Sequence, residues 1–449
     1  MLHTRSGRYD GTLMTGYEPP TALPRALLES PDMKAAFVAH DFGTVFRLAR
    51  SEAGISYSKI AAECDIKPER VGALARGHGS VTTFEKIVRI ADALRIPGCM
   101  LGLASRPWEV SASPATSSTT EDRNDVRRRN FLQASSGAGL AVTLPDLHRP
   151  TSGSRLGSDE PDRLRRRTAR LRRLDDVLGG GDTYRVYLGE YQATKSKLRT
   201  SSYSEATGRA LLSVLAEQAQ QAGWAAFDGG READATGLYQ DSYHAAVEAG
   251  DAELAGNALA FLAYQTVAGD RKAGVEIASR SCETVGPDAP AGVRALLYER
   301  KAWACAVAGL ASQTESALES AEEALRDAGS APQPDWVAWV DLTELQIMSG
   351  RCWTELNRPL RAVPLLEKAL ARYDDRHARD KALYLSWLAN AYLSGGEVEQ
   401  AACSVDRALD LAHGVASVRP RQRLAPMLKS LGAHRGVSAV DSVLAKATA

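Results

Sequence analysis

Arginine is the residue type whose clustering in this sequence could do chemistry. From Asp162 to Leu178 the chain reads as one basic helix, with Leu164, Leu171, Leu174 and Leu178 on one face and arginines over much of the rest. Guanidinium groups at that density are either solvated along a connecting helix or set against phosphate or an acidic partner, because their planar fork of N–H donors matches oxyanions in pairs. Spacings that would support catalysis are absent. There is no Gly-x-x-x-x-Gly-Lys loop, no Gly-x-Ser-x-Gly elbow and no His-Glu-x-x-His pair, and the eight histidines are scattered. Asp374 and Asp375 read as a solvated helix end. Cys64, Cys99, Cys282, Cys305, Cys352 and Cys403 form no Cys-x-x-Cys pair and no metal-ligand spacing. The sequence therefore predicts no catalytic residues, no metal, no cofactor and no enzyme.

Composition narrows the class further. The 449 residues are too many for one core, and 44% hydrophobic against 24% charged fits a folded chain. Only 6% are aromatic while Ala and Leu abound, which favours helices because these residues lose little side-chain entropy on entering one. The 55 basic and 55 acidic residues cancel, so any contact with nucleic acid must come from a local patch. No apolar run of 18 or more residues occurs, and the first residues lack a basic region followed by an apolar one. A cytoplasmic protein without membrane contact is expected, its cysteines reduced and buried.

Short helices must position whatever residues 41–105 present. Val45, Phe46 and Ala49 share a face between Phe42 and Ala53, and Gly54 ends that helix because glycine tolerates the left-handed backbone. Ser56 can cap a second helix, Tyr57 to Glu63, with Ile60 and Ala61 inward. Cys64 to Lys67 then turn tightly, Pro68 sits where a first-turn proline costs nothing, and a third helix runs to Arg76 with Val71 and Leu74 inward. Two short helices across a four-residue turn make a helix-turn-helix arrangement. A fourth helix starts at Thr82, capped reciprocally by Glu85, and turns Phe84, Ile87, Val88, Ile90, Ala91 and Leu94 inward. Pro97 opens a fifth helical turn through Met100 and Leu103.

The runs Gly54-Ile-Ser-Tyr-Ser-Lys-Ile-Ala61, Ile66-Lys-Pro-Glu-Arg-Val71, Ala75-Arg-Gly77 and Thr83-Phe-Glu-Lys-Ile-Val-Arg-Ile-Ala-Asp-Ala-Leu94 closely resemble the XRE-type, phage-repressor-like helix-turn-helix domain. The resemblance implies that the helix from Pro68 to Arg76 enters the major groove of double-stranded DNA while the helix before it crosses the backbone. By position, Glu69, Arg70 and Ala73 would face base edges, and Ser56, Tyr57, Lys67 and Arg76 would face phosphates. Arg70 suits guanine O6 and N7, Glu69 suits cytosine N4, and Ala73 can touch a thymine methyl. Pro68 stands where the family usually has a polar side chain, and the segment is only mildly basic. A single copy should bind weakly, so a homodimer spanning two half-sites is expected.

Outside that domain the sequence divides by composition. Residues 1–40 carry no period until a short stretch from Met33 to His40 and are expected to be disordered. Residues 106–160 form a Ser/Thr/Pro/Gly/Arg-rich linker, residues 161–181 the Arg-rich connecting helix with a glycine hinge at Gly179 to Gly181, and residues 436–449 a tail. Within the linker, Arg128-Arg-Asn-Phe-Leu-Gln133 ahead of Ala134 to Pro145 resembles a twin-arginine export signal. A candidate DNA-binding domain precedes it, so docking of Phe131, Leu132 and Leu140 onto another domain is expected instead of export.

Residues 182–435 repeat. A Gly or Asn anchor is followed at +5 by a small residue, at +9 by a mostly apolar one and at +12 by another small one. The sets are Gly230/Ala235/Tyr239/Ser242, Gly269/Gly274/Ala278/Ser281, Gly309/Thr314/Leu318/Ala321, Asn357/Ala362/Leu366/Ala369 and Gly396/Ala401/Val405/Ala408. Successive anchors lie 39, 40, 48 and 39 residues apart. Small residues on one face let the preceding helix pack closely, which predicts a stack of helical hairpins. The pattern resembles tetratricopeptide repeats, and the layout as a whole resembles a class of actinobacterial transcriptional regulators. The expected fold is all-α, a five-helix helix-turn-helix domain linked to a tetratricopeptide-like α-solenoid. In that family the position six before the anchor faces the concave groove; with residues ten before it, Gln220, Trp224, Glu299, Trp303, Arg351 and Asn390 are the expected site for a peptide or protein effector. Packing between helices is the plainer reading of Trp224 and Trp303. A DNA-binding transcriptional regulator with an effector-binding or dimerising repeat domain is the expected function. The alternative is an interaction scaffold whose helix-turn-helix no longer binds DNA.

Overall fold

The computed structural model describes residues 19–81, 84–103, 106–109, 155–178, 180–327, 332–413 and 415–448. The twin-arginine-like run, Thr82 of the capping box and Gly179 lie outside them. The described elements are helical, and two compact units hold residues 19–81 with 85–109, and 155–448.

The first unit contains α1 (Arg25–Leu28), α2 (Pro31–Val38), α3 (Phe42–Ala53), α4 (Tyr57–Cys64), α5 (Pro68–Ala75), α6 (Phe84–Leu94) and α7 (Gly98–Leu101). Local chemistry sets the boundaries. Asp41 caps α3 by accepting from the Thr44 amide at 3.0 Å, Ser56 caps α4 by accepting from Lys59 at 3.3 Å, and Gly54 ends α3 at φ 65°. Asp65 takes φ 52° after α4, and Lys67 begins α5 in extended geometry ahead of Pro68. Val45, Phe46, Ile60, Val71, Ile87, Ile90 and Leu94 are fully buried together.

Two domain limits differ from the sequence reading. Residues 19–40 are structured: Ser30 caps α2, which buries Met33, Ala36 and Phe37, and the Leu23 amide donates to the Leu94 carbonyl at 2.9 Å. Apolar spacing over eight residues was too short a window to reveal this. At the other end, residues 106–109 fold back from the expected linker. Arg106 donates to both Asp92 carboxylate oxygens at 2.7 Å, and Glu109 accepts from the Gly98 amide at 2.7 Å.

Gly43 lets α3 and α5 touch. A Cβ on it would lie 2.1 Å from the Leu74 carbonyl oxygen, so Gly43→Ala must push α5 away. Overpacking of this kind costs about 1–3 kcal/mol. Hydrogen exchange at the Val71 and Leu74 amides should speed up by about 5- to 100-fold. Unchanged protection would mean the two helices do not share this contact.

The second unit opens with α8 (Glu160–Leu178) and α9 (Gly180–Thr200), then α10 (Glu205–Asp228), α11 (Glu232–Ala249), α12 (Ala252–Thr266), α13 (Arg271–Val285), α14 (Ala291–Val307), α15 (Ala311–Arg326), α16 (Leu342–Glu355), α17 (Pro359–Leu370), α18 (Ala378–Gly395), α19 (Val398–Ala412), α20 (Arg419–Leu431) and α21 (Ser438–Thr448). Each anchor joins two antiparallel neighbours, from α10 with α11 to α18 with α19. The residues at +5, +9 and +12 are all buried. Gly230, Gly309, Asn357 and Gly396 take positive φ, whereas Gly269 does not. Close approach also needs glycine on the first helices, where a Cβ at Gly223 would strike the Tyr239 ring at 2.5 Å and one at Gly350 would strike Leu366 at 2.5 Å.

Three expectations about this unit are corrected. The Arg-rich helix α8 is no solvated connector, for it buries Leu164, Thr168 and Leu171 and packs on α9 and α10. The side chains of Leu174 and Leu178 lie outside the described residues. Gly180 and Gly181 start α9 and do not hinge: their amides donate to Asp228 Oδ2 and the Ala416 carbonyl, both at 2.8 Å. The last residues are no tail, because α21 buries Val440 and Val443 against α19 and α20.

The hairpin stack curls until its ends meet. Asp228, at the end of α10 and fully buried, accepts from the Gly180 amide, from Ser417 Oγ at 2.8 Å and from Arg419 at 3.4 Å, with Arg379 of α18 at 3.8 Å. The Val418 amide donates to its backbone carbonyl at 3.1 Å. α8 adds a second tie, since Arg172 bonds to Glu217 on α10 and to Asp335 in the segment between α15 and α16.

Candidate functional site

Closure turns the concave side of the stack into a chamber of about 510 Å³. Its walls alternate aromatic rings and guanidiniums. Tyr264, on α12, accepts hydrogen bonds at its hydroxyl from Arg351 of α16 at 3.1 Å and from Arg419 of α20 at 3.4 Å. Arg300 of α14 lies 5.3 Å above the Tyr264 ring and 5.7 Å from Trp339. Arg419 stacks 4.6 Å over Trp224, and Arg351 lies 4.7 Å from Trp303 and 5.4 Å from Trp387. Such stacking holds a guanidinium where water is scarce while leaving its edge N–H groups available. Burial opposes ionisation of Tyr264, but Arg351, Arg419 and Arg300 outweigh it and bring the phenol down to about 7.

The arginines differ in what they already hold. Arg172 and Arg379 are paired with carboxylates, and Arg419 shares Asp228 with Arg379. Among the described residues Arg300 makes no hydrogen bond or ion pair, and Arg351, buried, bonds only to a phenol and leaves its Nε without a partner. Behind them sit two carboxyl groups. Glu344 accepts from the Tyr384 hydroxyl at 3.0 and 3.3 Å, while both oxygens of fully buried Glu299 lack a partner. Burial raises both, and Glu344 raises Glu299 further, so Glu299 is held well above the ordinary carboxyl range.

Of the residues expected in the groove, Gln220, Trp224 and Arg351 line the chamber. Gln220 is committed to structure, donating to Ser242 and the Leu254 carbonyl and accepting from Asn257. Glu299 and Trp303 lie behind the wall, and Asn390 takes no part in it. Trp303 therefore fills inter-helix space, packing edge-to-face on Trp387 at 5.1 Å. Missed were Tyr264, Arg300, Glu344 and Arg419, together with Trp336 and Trp339. The 48-residue anchor spacing was the signal for the last two, which ride on the extra segment between α15 and α16.

A second surface lies on the first unit. Ser56, Lys67, Glu69, Arg70 and Arg76 are exposed, and Ala73 is half-buried, while Val71, Leu74 and Ala75 of the same helix face the core. Tyr57 is half-buried beneath Arg50, whose guanidinium is 4.7 Å from its ring. Arg70 bends onto the following turn and donates to the Ser80 carbonyl at 2.8 Å. Gly79, at φ 83°, makes room: a Cβ there would be 2.7 Å from Arg70 Nη1. One donor is thus anchored and the rest of the guanidinium is exposed.

No family model matches the chain, and no curated protein is similar to it. Among the described residues no group of His, Cys, Asp and Glu could hold a metal ion, and no helix is long and apolar enough to cross a membrane.

Proposed function

We propose that the protein is a DNA-binding transcriptional regulator of the XRE helix-turn-helix type, with a tetratricopeptide-like unit that senses an effector or builds a homodimer. The observation that carries this reading is the two-faced α5. Its apolar residues anchor it to the core while Lys67, Glu69, Arg70 and Arg76 stand exposed beside the start of α4. A short helix displayed this way offers side chains to base edges, with Ser56 and Tyr57 at the phosphates. Coupling requires that the effector bind one arrangement of the repeat unit better than another, and so alter the spacing of two DNA-binding heads.

Recovery of genomic DNA on the intact protein, followed by titration of the recovered fragments, tests this reading. Arg70→Ala should weaken binding by about 10-fold or more, since a two-pronged guanine contact is worth about 1–3 kcal/mol. Affinity should fall steeply with salt for both proteins. If no fragment is enriched, or if Arg70→Ala binds every fragment as tightly as the parent, the interaction-scaffold alternative replaces this reading. Cleavage near Pro145 would instead indicate an exported protein.

A further inference from the structure

We infer that the chamber on the concave side of the repeat unit binds a compact aromatic acid, its acid group held by Arg300 and Arg351 and its ring laid against Trp224 and Trp339. This deepens the effector-sensing part of the proposed function and rests on it. Three observations lead there.

The first is size and enclosure. A volume of about 510 Å³ falls within the range of roughly 300–1,000 Å³ that takes small molecules. An extended peptide needs a groove open at both ends, and here the Asp228 clasp joins the ends of the stack while α8 ties α10 to the segment between α15 and α16.

The second is guanidinium hydrogen-bonding capacity that no acceptor among the described residues takes up. Arg300 offers its guanidinium with no acceptor among the described residues, and Arg351 is almost wholly buried with its only hydrogen bond to Tyr264. Arg351 keeps an Nε–H without an acceptor in a dry site, and an arriving carboxylate can supply one. Arg300 stands over the Tyr264 ring and Arg351 at its hydroxyl, from neighbouring hairpins, so both guanidiniums border the same part of the chamber. Of the acids in the wall, Glu217 is paired with Arg172, Asp380 with Arg379, Asp341 caps α16 and Glu344 accepts from Tyr384.

The third is the aromatic content of the free surface. Trp224 and Trp339 border the space, Trp339 being 44% exposed although tryptophan seldom is. A flat ring seated in this space would meet indole surface and leave the arginine edges for its acid group. A simple inorganic anion would use the guanidiniums and leave the indoles wet.

Calorimetric titration of the full-length protein with 1-naphthoate and with its neutral analogue 1-naphthamide tests the assignment. Naphthoate is expected to bind saturably, one per chain, and about 10-fold or more tighter than the amide. Arg300→Gln should weaken naphthoate several-fold and narrow its advantage over the amide, Arg351 keeping the remainder, while the amide is unchanged and Arg300→Lys falls between. Arg300 is half-exposed and makes no hydrogen bond or ion pair among the described residues, so its variants should keep the fold, which a thermal melt verifies. Equal binding of acid and amide, absence of saturable naphthoate binding, or insensitivity to Arg300→Gln each overturns the inference. DNA is absent from the titration, so failure here leaves the operator-binding reading intact, and failure of DNA recovery leaves this result intact.

Discussion

Asp228→Ala is expected to lower the stability of the repeat unit by about 3–5 kcal/mol, the cost of removing one partner from a buried charge network. The side chain is fully buried and holds four elements at once: the first turn of α9, the Ser417 hydroxyl, Arg419 of α20 and Arg379 of α18. Without its carboxylate, two guanidiniums share a dry site with no nearby anion except Asp380, and the Gly180 amide loses its acceptor. For a unit of this size, about 2–4 °C is lost per kcal/mol, so the midpoint should drop by about 10 °C. Tryptophan fluorescence reads this unit selectively, because Trp224, Trp303, Trp336, Trp339, Trp353 and Trp387 belong to it and only Trp108 lies in the other. Asp228→Asn keeps one acceptor, for either Gly180 or Ser417, and loses the charge, and should fall between the parent and Asp228→Ala. A melt unchanged in both variants would show that the ends of the stack are not held together here.

That clasp marks where the sequence stops being informative. The hairpins were legible because their physical cause is local: a positive-φ anchor, then small residues at helix spacing so that two neighbours can touch. Ala362, Leu366 and Ala369 follow Asn357 and are all fully buried. α5 was legible for the same reason, its turn, proline and inward Val71 and Leu74 lying within a dozen residues. Asp228 and Ser417 are 189 residues apart, and no periodic pattern links them. Nor does periodicity distinguish Arg300, free in the chamber, from Arg172, committed to two carboxylates. The basic helix α8 was misread for a related reason. Its arginines look solvated until Glu190, Glu217 and Asp335 are brought to them by the fold.

Glu299 gives the second large effect, and its sign follows from its surroundings. Burial and the neighbouring Glu344 raise its folded value well above the ordinary 4.5, Asp341 adds to this, and Arg300 and Arg351 oppose it only in part. In the unfolded chain Glu299 loses its proton near 4.5, whereas the folded protein keeps it. Between those two values the native state binds more protons than the unfolded state, so stability falls as pH rises, by up to about 1.4 kcal/mol per pH unit. The stability linked to this group is fully present below about 4.5 and is lost progressively toward neutral pH. Glu299→Gln removes the titration but keeps the shape. At pH 5 the variant and parent should lie within about 1 kcal/mol, since a carboxylic acid and an amide without partners pay similar desolvation costs. Above pH 5 the variant should gain on the parent as pH rises, by no more than about 1.4 kcal/mol per pH unit. Urea unfolding followed by tryptophan fluorescence from pH 5 to 8 measures both curves, and parallel curves would mean that Glu299 ionises freely in the folded protein. Because folded Glu299 is already protonated, the amide leaves the charge around Arg300 and Arg351 as it was. The same substitution should therefore leave naphthoate affinity unchanged, which separates a carboxyl group that burdens the fold from one that binds ligand.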